Sequence, residues 1–468
     1  MAAPQIDRSA WSWALYEAAR NPYVLLCTIY VMAPYIATTV IGDPVQGQAI
    51  ISSWHKIAGV LVAVSAPFLG AAMDRMGRRK PILGVVTVGM VAAFFAQWWA
   101  MPGGAGLPLW GLGAVLIFAG VMFSWSEVAH NSMLTTAAKP EVLGHTSGLG
   151  LALGNVASVL LLVFVLFAFA LPGVIDLPFV PDAPLFGLDR TAFEPNRIVG
   201  PLSALWLAIF ALPLFFYARD LETTGEKFGD AMRHGVGKVV GTIRKLRDHR
   251  NVALFLVARM LYADGKTAIL IFSGVYAAGV MGWDLLEMLT LGVVTTAFGV
   301  IGGLSGGHLD SWLGPKRAVA IEIGVTLVCL LVMVSMTPTS MFFIVPVAEG
   351  AVAWNGPLFQ SPPELAYLLT TCVIAISISA AYASSRTLMA RLAPAGMEGE
   401  LFGLYALSGA ATVWLGPLLV EHFTETYQSQ RAGFAAISLL LVAGFLMLLL
   451  VKPPPNYALR ASDSQALH

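Results

Sequence analysis

The chain has 468 residues, of which 57% are hydrophobic and only 12% are charged. Soluble domains carry roughly 25% charged residues, so this composition excludes an ordinary soluble protein and predicts that most of the chain lies in lipid. The net charge is zero, so no overall positive charge favours a nucleic-acid partner.

Apolar runs that are long enough to cross a bilayer recur along the whole chain. A membrane-spanning helix needs about 20 mostly apolar residues, and backbone groups in lipid must form their hydrogen bonds within the segment, which favours helices. Twelve spans are predicted on this basis, at 10–40, 48–73, 81–101, 109–134, 145–171, 199–218, 251–280, 285–309, 318–337, 364–390, 400–420 and 431–452.

Lysines and arginines are distributed unevenly between the two sides of the predicted bundle. If the N-terminus is cytosolic, 19 of the 27 fall on the inner side, and only Arg190, Arg197 and Arg431 fall on the outer side. This asymmetry follows the positive-inside rule, so both termini are predicted to be cytosolic. Two outer loops, 172–198 and 338–363, are long and Pro-rich, and their sequence indicates no chemistry.

The longest predicted inner loop, 219–250, separates the first six spans from the last six. Its many basic residues favour an amphipathic helix that lies on anionic lipid headgroups; a binding site for a regulatory partner is the alternative. The predicted organisation is an N-terminal six-helix half at 1–218, a cytosolic basic linker at 219–250, and a C-terminal six-helix half at 251–468 with a short cytosolic tail.

One short motif occurs twice at the inner ends of spans. The segment Asp74-Arg-Met-Gly-Arg-Arg-Lys80 follows the second span, and the degenerate copy Asp310-Ser-Trp-Leu-Gly-Pro-Lys-Arg317 follows the eighth. We expect each aspartate to cap a neighbouring helix and pair with arginine across the two halves when the inner side is shut, and the glycine four residues earlier to permit close helix approach. The alternative is that the basic residues only set the orientation. The predicted gating residues are Gly70, Asp74, Arg75, Arg78, Gly306, Asp310, Lys316 and Arg317.

Other parts of the two predicted halves also match in the same order. The segment Leu15-Tyr-Glu-Ala-Ala-Arg20 in the first span is similar to Leu261-Tyr-Ala-Asp-Gly-Lys266 in the seventh, and the Pro-containing turn after the fourth span has a counterpart after the tenth. Together with the duplicated loop, these matches predict two homologous six-helix halves.

Several of these segments resemble the major facilitator superfamily and, within it, the vacuole-effluxer-like branch named for a fungal autophagy-related protein. The resemblance rests on Ser12–Glu17 with Asn21-Pro-Tyr23, Ala33-Pro-Tyr35, the Asp74 loop, Gly148–Gly154, Leu261–Gly265, Ser385-Arg386 and Gly399–Gly409. It implies an all-α membrane protein with twelve transmembrane helices in two pseudo-symmetric six-helix halves, and a cavity lined by spans one, four, seven and ten. The fungal founder is regarded as an exporter of vacuolar amino acids. The chain departs from the branch at Glu17, where Asp is frequent, and at Arg20, where a less polar residue is usual.

Charged residues inside predicted spans are the candidates for function, because a charge in the bilayer is costly unless it faces a cavity or a partner. We expect Arg20 or Arg386 to bind a substrate carboxylate, and Glu17, Glu127 or Asp264 to take a proton or a substrate amine, with His130 as a proton relay. The alternative is that these groups form structural pairs, such as Arg20 with Glu127. The candidate cavity residues are Glu17, Arg20, Lys56, Glu127, His130, Asn131, Asp264, Lys266 and Arg386.

The sequence contains no phosphate loop, metal-ligand spacing or nucleophile motif, so neither an enzyme nor a cofactor nor a metal is predicted. We expect a monomeric secondary transporter of an amino acid or another small zwitterion, working by rocker-switch alternating access and coupled to protons, in a bacterial inner membrane. A sugar- or glycoside–cation symporter that relies on tryptophan and Asn131 is one alternative. A non-transporting membrane sensor or assembly factor is the alternative of another class.

Overall fold

The structure is a computed structural model that describes residues 6–139, 142–175, 180–222, 224–225, 241, 244, 249–348, 350–393 and 398–452. At some helical positions, including Asp74, only the backbone is described. The first helix, α1, runs from Arg8 to Val40, beginning as an α-helix at Arg8–Tyr23 and continuing through π-helical turns. It is followed by α2 (Pro44–Met76), α3 (Lys80–Ala96), α4 (Leu109–Ala137), α5 (Leu143–Val165) and α6 (Val199–Tyr217).

The rest of the chain is built in the same way. Its helices are α7 (Arg250–Tyr276), α8 (Leu285–Leu313), α9 (Pro315–Val334), α10 (Pro362–Leu392), α11 (Glu398–Ala411), α12 (Leu415–Tyr427) and α13 (Gln430–Leu450). A two-stranded antiparallel hairpin pairs β1 (Ser340–Met341) with β2 (Val345–Pro346) between α9 and α10.

Local sequence explains where several of these helices begin and end. The Asp43 carboxylate accepts from two backbone N–H groups of α2, and Ser361 and Glu364 form a capping box at the start of α10. Within the duplicated loop motif, Gly77 and Gly314 both adopt positive φ angles, of 81° and 82°. Because side chains disfavour positive φ, a glycine directly follows the last residue of both α2 and α8.

The predicted spans correspond to helices, and ten helices among the described residues are long and apolar enough to cross a membrane. The seventh and eleventh predicted spans are not among these ten helices, and the reason differs between them. The seventh, α7, carries Arg259, Asp264 and Lys266 within one stretch. The eleventh is broken into α11 and α12 around Thr412–Trp414, so neither piece has the length of a full span.

The chain separates into two compact units. The first unit comprises Met1–Val239, Leu270–Val293 and Val420–Gly433. The second unit comprises Val240–Ile269, Val294–Leu419 and Phe434–His468. Within the first unit α1 packs against α5 and α6, α2 against α4, and α3 against α4 and α6, while α9 packs against α10 in the second.

Most of the basic linker, including 226–240 and 245–248, lies outside the described residues, so its amphipathic helix stays a prediction, as does the division into halves at 219–250. The start of the linker is described. There the Asp220 carboxylate accepts from the N–H groups of Arg79 and Lys80 at 3.0–3.1 Å. Since Arg79 itself provides no side-chain cap, Asp220 caps α3 from a distant part of the sequence.

The segment between α5 and α6 supplies a similar cap. The Arg190 guanidinium donates to the carbonyls of Phe169, Ala170 and Pro172, which follow α5 and have no helical N–H to accept from. Nearby, Thr191 donates to Asp189 from both its N–H and its hydroxyl, and these bonds lower the pKa of the exposed Asp189 carboxyl.

Candidate functional site

The strongest cluster of charges in the first unit lies on α1, one turn apart. Arg20 donates from Nε and Nη2 to the two carboxylate oxygens of Glu17, at 3.0 and 2.9 Å. This two-point contact fixes both side chains. Arg20 is only 6% exposed, its guanidinium carbon lies 4.9 Å from the centre of the Phe123 ring, and its Nη1 has no hydrogen-bond partner among the described residues.

His130 on α4 joins the cluster from the neighbouring helix. Its ring stacks on Trp13 with centroids 4.2 Å apart, and the Trp13 indole N–H donates to the His130 carbonyl at 2.8 Å. The imidazole Nε2 lies 2.8 Å from the Trp13 carbonyl, while Nδ1 lies 3.3 Å from Glu17 Oε1.

Both groups that face the His130 ring are oxygen acceptors, and this restricts where hydrogens can lie. A backbone carbonyl cannot donate, so Nε2 must carry a hydrogen. With Nε2 protonated, the contact between Nδ1 and Glu17 is favourable only if a second proton lies on the imidazole or on the carboxyl. Nδ1 has no hydrogen-bond partner among the described residues, so a proton added to either group would join Glu17 and His130 by a hydrogen bond.

Glu127 completes the cluster one turn before His130. Its carboxylate oxygen lies 3.9 Å from Arg20 Nη1, and its side chain is 53% exposed, unlike those of Glu17 and His130. Asn131, four residues further along α4, is also exposed. The cluster thus presents a buried cation with one unused donor nitrogen beside an accessible carboxylate.

Two glycines on α5 allow α1 to carry this cluster at close range. A Cβ atom at Gly150 would lie 3.1 Å from Trp13 Cζ3 and 3.3 Å from Glu17 Cγ, and one at Gly154 would lie 3.4 Å from Glu17 O. A side chain at Gly150 would crowd Trp13 and Glu17, so this glycine lets α5 pack closely against the cluster on α1. On the other side, Tyr16 and Thr87 share a 2.7 Å hydrogen bond between their hydroxyls.

A second cluster of buried charges lies in the second unit. Lys266 is 1% exposed, and its ammonium nitrogen lies 4.2 Å from the centre of the Tyr382 ring, in cation–π geometry. Arg259 stacks on the Tyr405 ring at 3.6 Å and donates to the Tyr405 carbonyl and the Ser408 hydroxyl, both at 2.6 Å. These contacts hold the two cations among aromatic rings.

Asp264 has a structural contact that sequence analysis did not foresee. Its Oδ2 accepts from the Gly416 N–H at 2.9 Å, within the first turn of α12. The interruption of the eleventh span leaves N–H groups without helical acceptors at this point, and Asp264 supplies one from α7. Its Oδ1 is buried without a hydrogen-bond partner among the described residues. Arg386 on α10, which was also predicted to line the cavity, is exposed.

Lys56 forms an ion pair at the end of the first unit where α2 begins, which we call the Pro44 end. Its ammonium contacts the carboxylate of Glu421 on α12. About two turns earlier on α2, Gln48 donates to the Thr424 hydroxyl at 2.8 Å and to the Gln430 carbonyl at 3.1 Å. These polar contacts join segments from opposite ends of the sequence.

Backbone contacts at the Pro44 end are equally close. A Cβ atom at Gly274 would lie 1.7 Å from the Ile29 carbonyl oxygen, and one at Gly292 would lie 2.8 Å from the Tyr30 ring. Only glycine fits at such separations. Within the first unit, the Pro44 end is therefore tightly closed between α1, α2 and the segments from α7, α8 and α12.

The duplicated loop motif is only partly described. The side chain of Asp74 lies outside the described residues, so its cap across the halves stays a prediction. Thr224 donates to the carbonyls of Arg75 and Met76, so the start of the linker lies on this loop. A Cβ atom at Gly77 would also lie 2.1 Å from the Glu222 carbonyl oxygen.

The C-terminal copy of the motif is described in more detail, and its gating role stays a prediction. Asp310 is 5% exposed, and its Oδ1 has no hydrogen-bond partner in the described part of the chain. Lys316 donates to the Leu449 carbonyl at 2.9 Å. Arg78 and Arg317 are exposed.

The two glycines that precede the motif differ in their surroundings. A Cβ atom at Gly306 would lie 3.0 Å from the Ala380 backbone, so α8 and α10 approach closely at this position. At Gly70 the nearest atom would be Val128 Cγ1 at an ordinary 3.7 Å. The close-packing explanation therefore does not apply to Gly70 in this conformation.

Sequence analysis overlooked several buried polar residues. Glu322, 3% exposed on α9, accepts from the Ser384 hydroxyl at 2.9 Å. An acid inside the apolar run 318–337 was itself a signal. Glu421 and Gln48 could not be recognised in this way, because their pairing depends on the tertiary structure.

The fold is shared with solved membrane transporters. The structure is similar to that of a D-xylose–proton symporter, with a TM-score of 0.65, 10% identity, and 96% and 97% of the two chains covered. It is also similar to the nucleoside transporter NupG, with a TM-score of 0.61, 11% identity, and 95% and 98% covered.

Sequence relatives point to the same class. The chain is 22% identical to an uncharacterized MFS-type transporter, YxiO, of Bacillus subtilis (strain 168), with 94% of each chain covered. It is 23% identical to autophagy-related protein 22 of Coccidioides immitis (strain RS) over 69% of this chain and 51% of that protein, so it spans about half of the fungal protein. The family model described as "Vacuole effluxer Atg22 like" matches residues 35–454.

The apolar helices, the buried charges and the shared fold define an integral membrane transporter of the MFS type, a class of transporters and not of enzymes. The chain belongs to the vacuole effluxer Atg22-like family. The predicted family and fold class are confirmed.

Proposed function

We propose that the protein is a proton-coupled secondary transporter of an amino acid or similar small zwitterion. One observation carries the proposal: the buried Arg20 has an unused Nη1, and the accessible carboxylate of Glu127 lies 3.9 Å from it. A solute carboxylate would accept from Nη1, and the ammonium of the same solute would reach Glu127. A neutral sugar offers neither a carboxylate to Arg20 Nη1 nor an ammonium to Glu127.

Proton coupling follows from the neighbouring pair. Glu17 holds Arg20 by two hydrogen bonds, and it shares a proton with His130. When that proton lies on Glu17, the carboxyl loses its negative charge and its hold on Arg20 weakens. The guanidinium is then able to turn towards a solute carboxylate, so proton and solute bind together.

Alternating access requires that closed contacts open during the cycle. The closed Pro44 end, with the ion pair between Lys56 and Glu421, is the gate that we assign to one side of the membrane. The distribution of basic residues places this side outside the cytosol. We further propose that both termini are cytosolic and that the protein works as a monomer in a bacterial inner membrane.

Flux into proteoliposomes tests the proposed function. Purified protein is reconstituted, a pH gradient is imposed, and uptake of labelled amino acids, sugars and nucleosides is compared. Concentrative uptake of an amino acid that collapses when a protonophore is added supports the proposal. Uptake of a sugar alone would replace the zwitterion with the symporter alternative, and uptake indifferent to the protonophore would remove proton coupling.

A further inference from the structure

A groove of about 450 Å³ lies within the second unit, between α8, α9 and α10. Its volume is in the range of roughly 300–1,000 Å³ that is usual for small-molecule sites. The lining is largely apolar, with Val325 and Ile376 among its side chains, and Trp312 and Ile321 at its edge are 78% and 46% exposed. All three helices are long and apolar enough to cross a membrane, so molecules dissolved in the bilayer are the ligands suited to this groove.

One buried acid faces this apolar groove. Glu322 lines it and is only 3% exposed. Its Oε1 accepts from the Ser384 hydroxyl at 2.9 Å, whereas its Oε2 is buried and has no hydrogen-bond partner among the described residues. A buried carboxylate oxygen without a donor costs free energy, so a ligand that brings a donor would be stabilised there.

Charged and titratable groups surround Glu322 without occupying Oε2. Asp310 on α8 and Lys266 on α7 are within electrostatic range, and His308 on α8 lines the same groove. The Lys266 ammonium instead lies 4.2 Å from the centre of the Tyr382 ring. No ion pair within 4 Å involves Glu322 in the part of the chain that the structure describes.

We infer that the groove binds a lipophilic cation taken from the membrane. The ammonium group of such an amphiphile donates to Glu322 Oε2, and its hydrocarbon body lies on Val325, Ile376 and their apolar neighbours. Burial of the hydrocarbon supplies affinity, and the carboxylate selects for positive charge. This site is separate from the charged group on α1 and α4, which we call the zwitterion cluster (Glu17, Arg20, Glu127 and His130). The inference does not rest on the proposed function.

Direct binding in lipid nanodiscs tests the inference. Tritiated dodecylammonium is titrated onto the full-length protein in a scintillation proximity assay, with unlabelled dodecanol as a competitor of the same chain length. We expect saturable binding, with dodecanol weaker by about tenfold or more, as the loss of a charge-assisted hydrogen bond implies. The readout requires no transported solute, so a failure of the proposed function leaves this test intact.

Two variants locate the site. Glu322→Gln keeps an acceptor for Ser384 but removes the charge, and it should abolish the preference for dodecylammonium over dodecanol. Val325→Trp fills the groove and should abolish saturable binding of both compounds. Glu425→Gln, which removes an exposed acid on α12, is the matched control and should bind as the wild type does. Equal binding of dodecylammonium and dodecanol by the wild type, or unchanged binding by both groove variants, would overturn the inference.

Discussion

The Nδ1 atom of His130 lies 3.3 Å from Glu17 Oε1, while the other ring nitrogen faces the carbonyl of Trp13. The imidazole is thus held between two acceptors, and we propose that the pair shares one proton. Glu17 also accepts two hydrogen bonds from Arg20. A change in the position of this proton would therefore alter how firmly Glu17 binds the guanidinium that we propose as the partner of the solute carboxylate.

Glu17→Gln should uncouple solute movement from the proton gradient. The amide keeps the size of the side chain and removes its ability to alternate between charged and neutral forms. We expect labelled amino acid to exchange across the proteoliposome membrane, but to accumulate no higher than equilibrium under a pH gradient. The measurement is the internal-to-external ratio at steady state. Asp189→Asn, at an exposed loop position, is the control, and accumulation by Glu17→Gln equal to that of wild type would contradict the role of the pair.

The ion pair between Lys56 and Glu421 should hold the Pro44 end shut. Lys56→Glu places two acids together and should increase the labelling of a cysteine introduced at Thr424 by an impermeant maleimide, in a background without the three native cysteines. The exchanged pair, Lys56→Glu with Glu421→Lys, should return labelling to the original level, since the attraction is restored. If the extent of labelling were the same with and without the charge reversal, this ion pair would not be part of the gate.

Gly274→Ala should destabilise the protein, because the added Cβ would lie 1.7 Å from the Ile29 carbonyl oxygen. Overpacking of this kind costs about 1–3 kcal/mol, which should appear as a lower Tm in detergent. Gly324→Ala in α9 is the matched control, since nothing lies within 4 Å of its Cβ position and alanine favours a helix. Equal Tm changes in the two variants would contradict the close contact at the Pro44 end.

Asp264→Ala and Asp264→Asn separate the structural contact of this residue from its charge. Alanine removes the acceptor for the Gly416 N–H and should cost about 0.5–2 kcal/mol, as the loss of a helix cap does. Asparagine keeps an oxygen acceptor and should retain most of the stability. Thermal unfolding of both variants measures the difference; a stable Asp264→Ala protein would show that α12 does not depend on this cap.

The spans could be predicted from the sequence because the length of an apolar run is a local property. The broken eleventh span was not predicted, because the run 400–420 is mostly apolar and long enough to cross a bilayer. Gly416-Pro417 at the start of α12 is a local signal for the interruption, whereas the cap that Asp264 supplies from a helix far away in the sequence is visible only in the structure.

Some residues of the candidate site could also be predicted from the sequence, and others could not. Glu17, Arg20, Glu127 and His130 could be selected as charged or titratable residues in predicted spans, and the structure brings them together. The ion pair of Lys56 with Glu421 was not predictable, because the two residues meet only through tertiary packing. The proposed sharing of a proton likewise depends on the position of the Trp13 carbonyl, which no sequence pattern reports.

The zwitterion cluster is tested most directly by competition among three compounds that differ by one group each: leucine, its decarboxylated amine and its deaminated acid. Each is used to displace labelled leucine from purified wild-type protein, and from Arg20→Lys and Glu127→Gln. We predict that leucine alone displaces the label effectively from the wild-type protein. Arg20→Lys should lose affinity for leucine by about tenfold or more, because the planar donor is gone. Glu127→Gln should no longer distinguish leucine from the acid. If the amine or the acid displaced the label as effectively as leucine does, the site would not bind both charges of the solute, and the account would be contradicted.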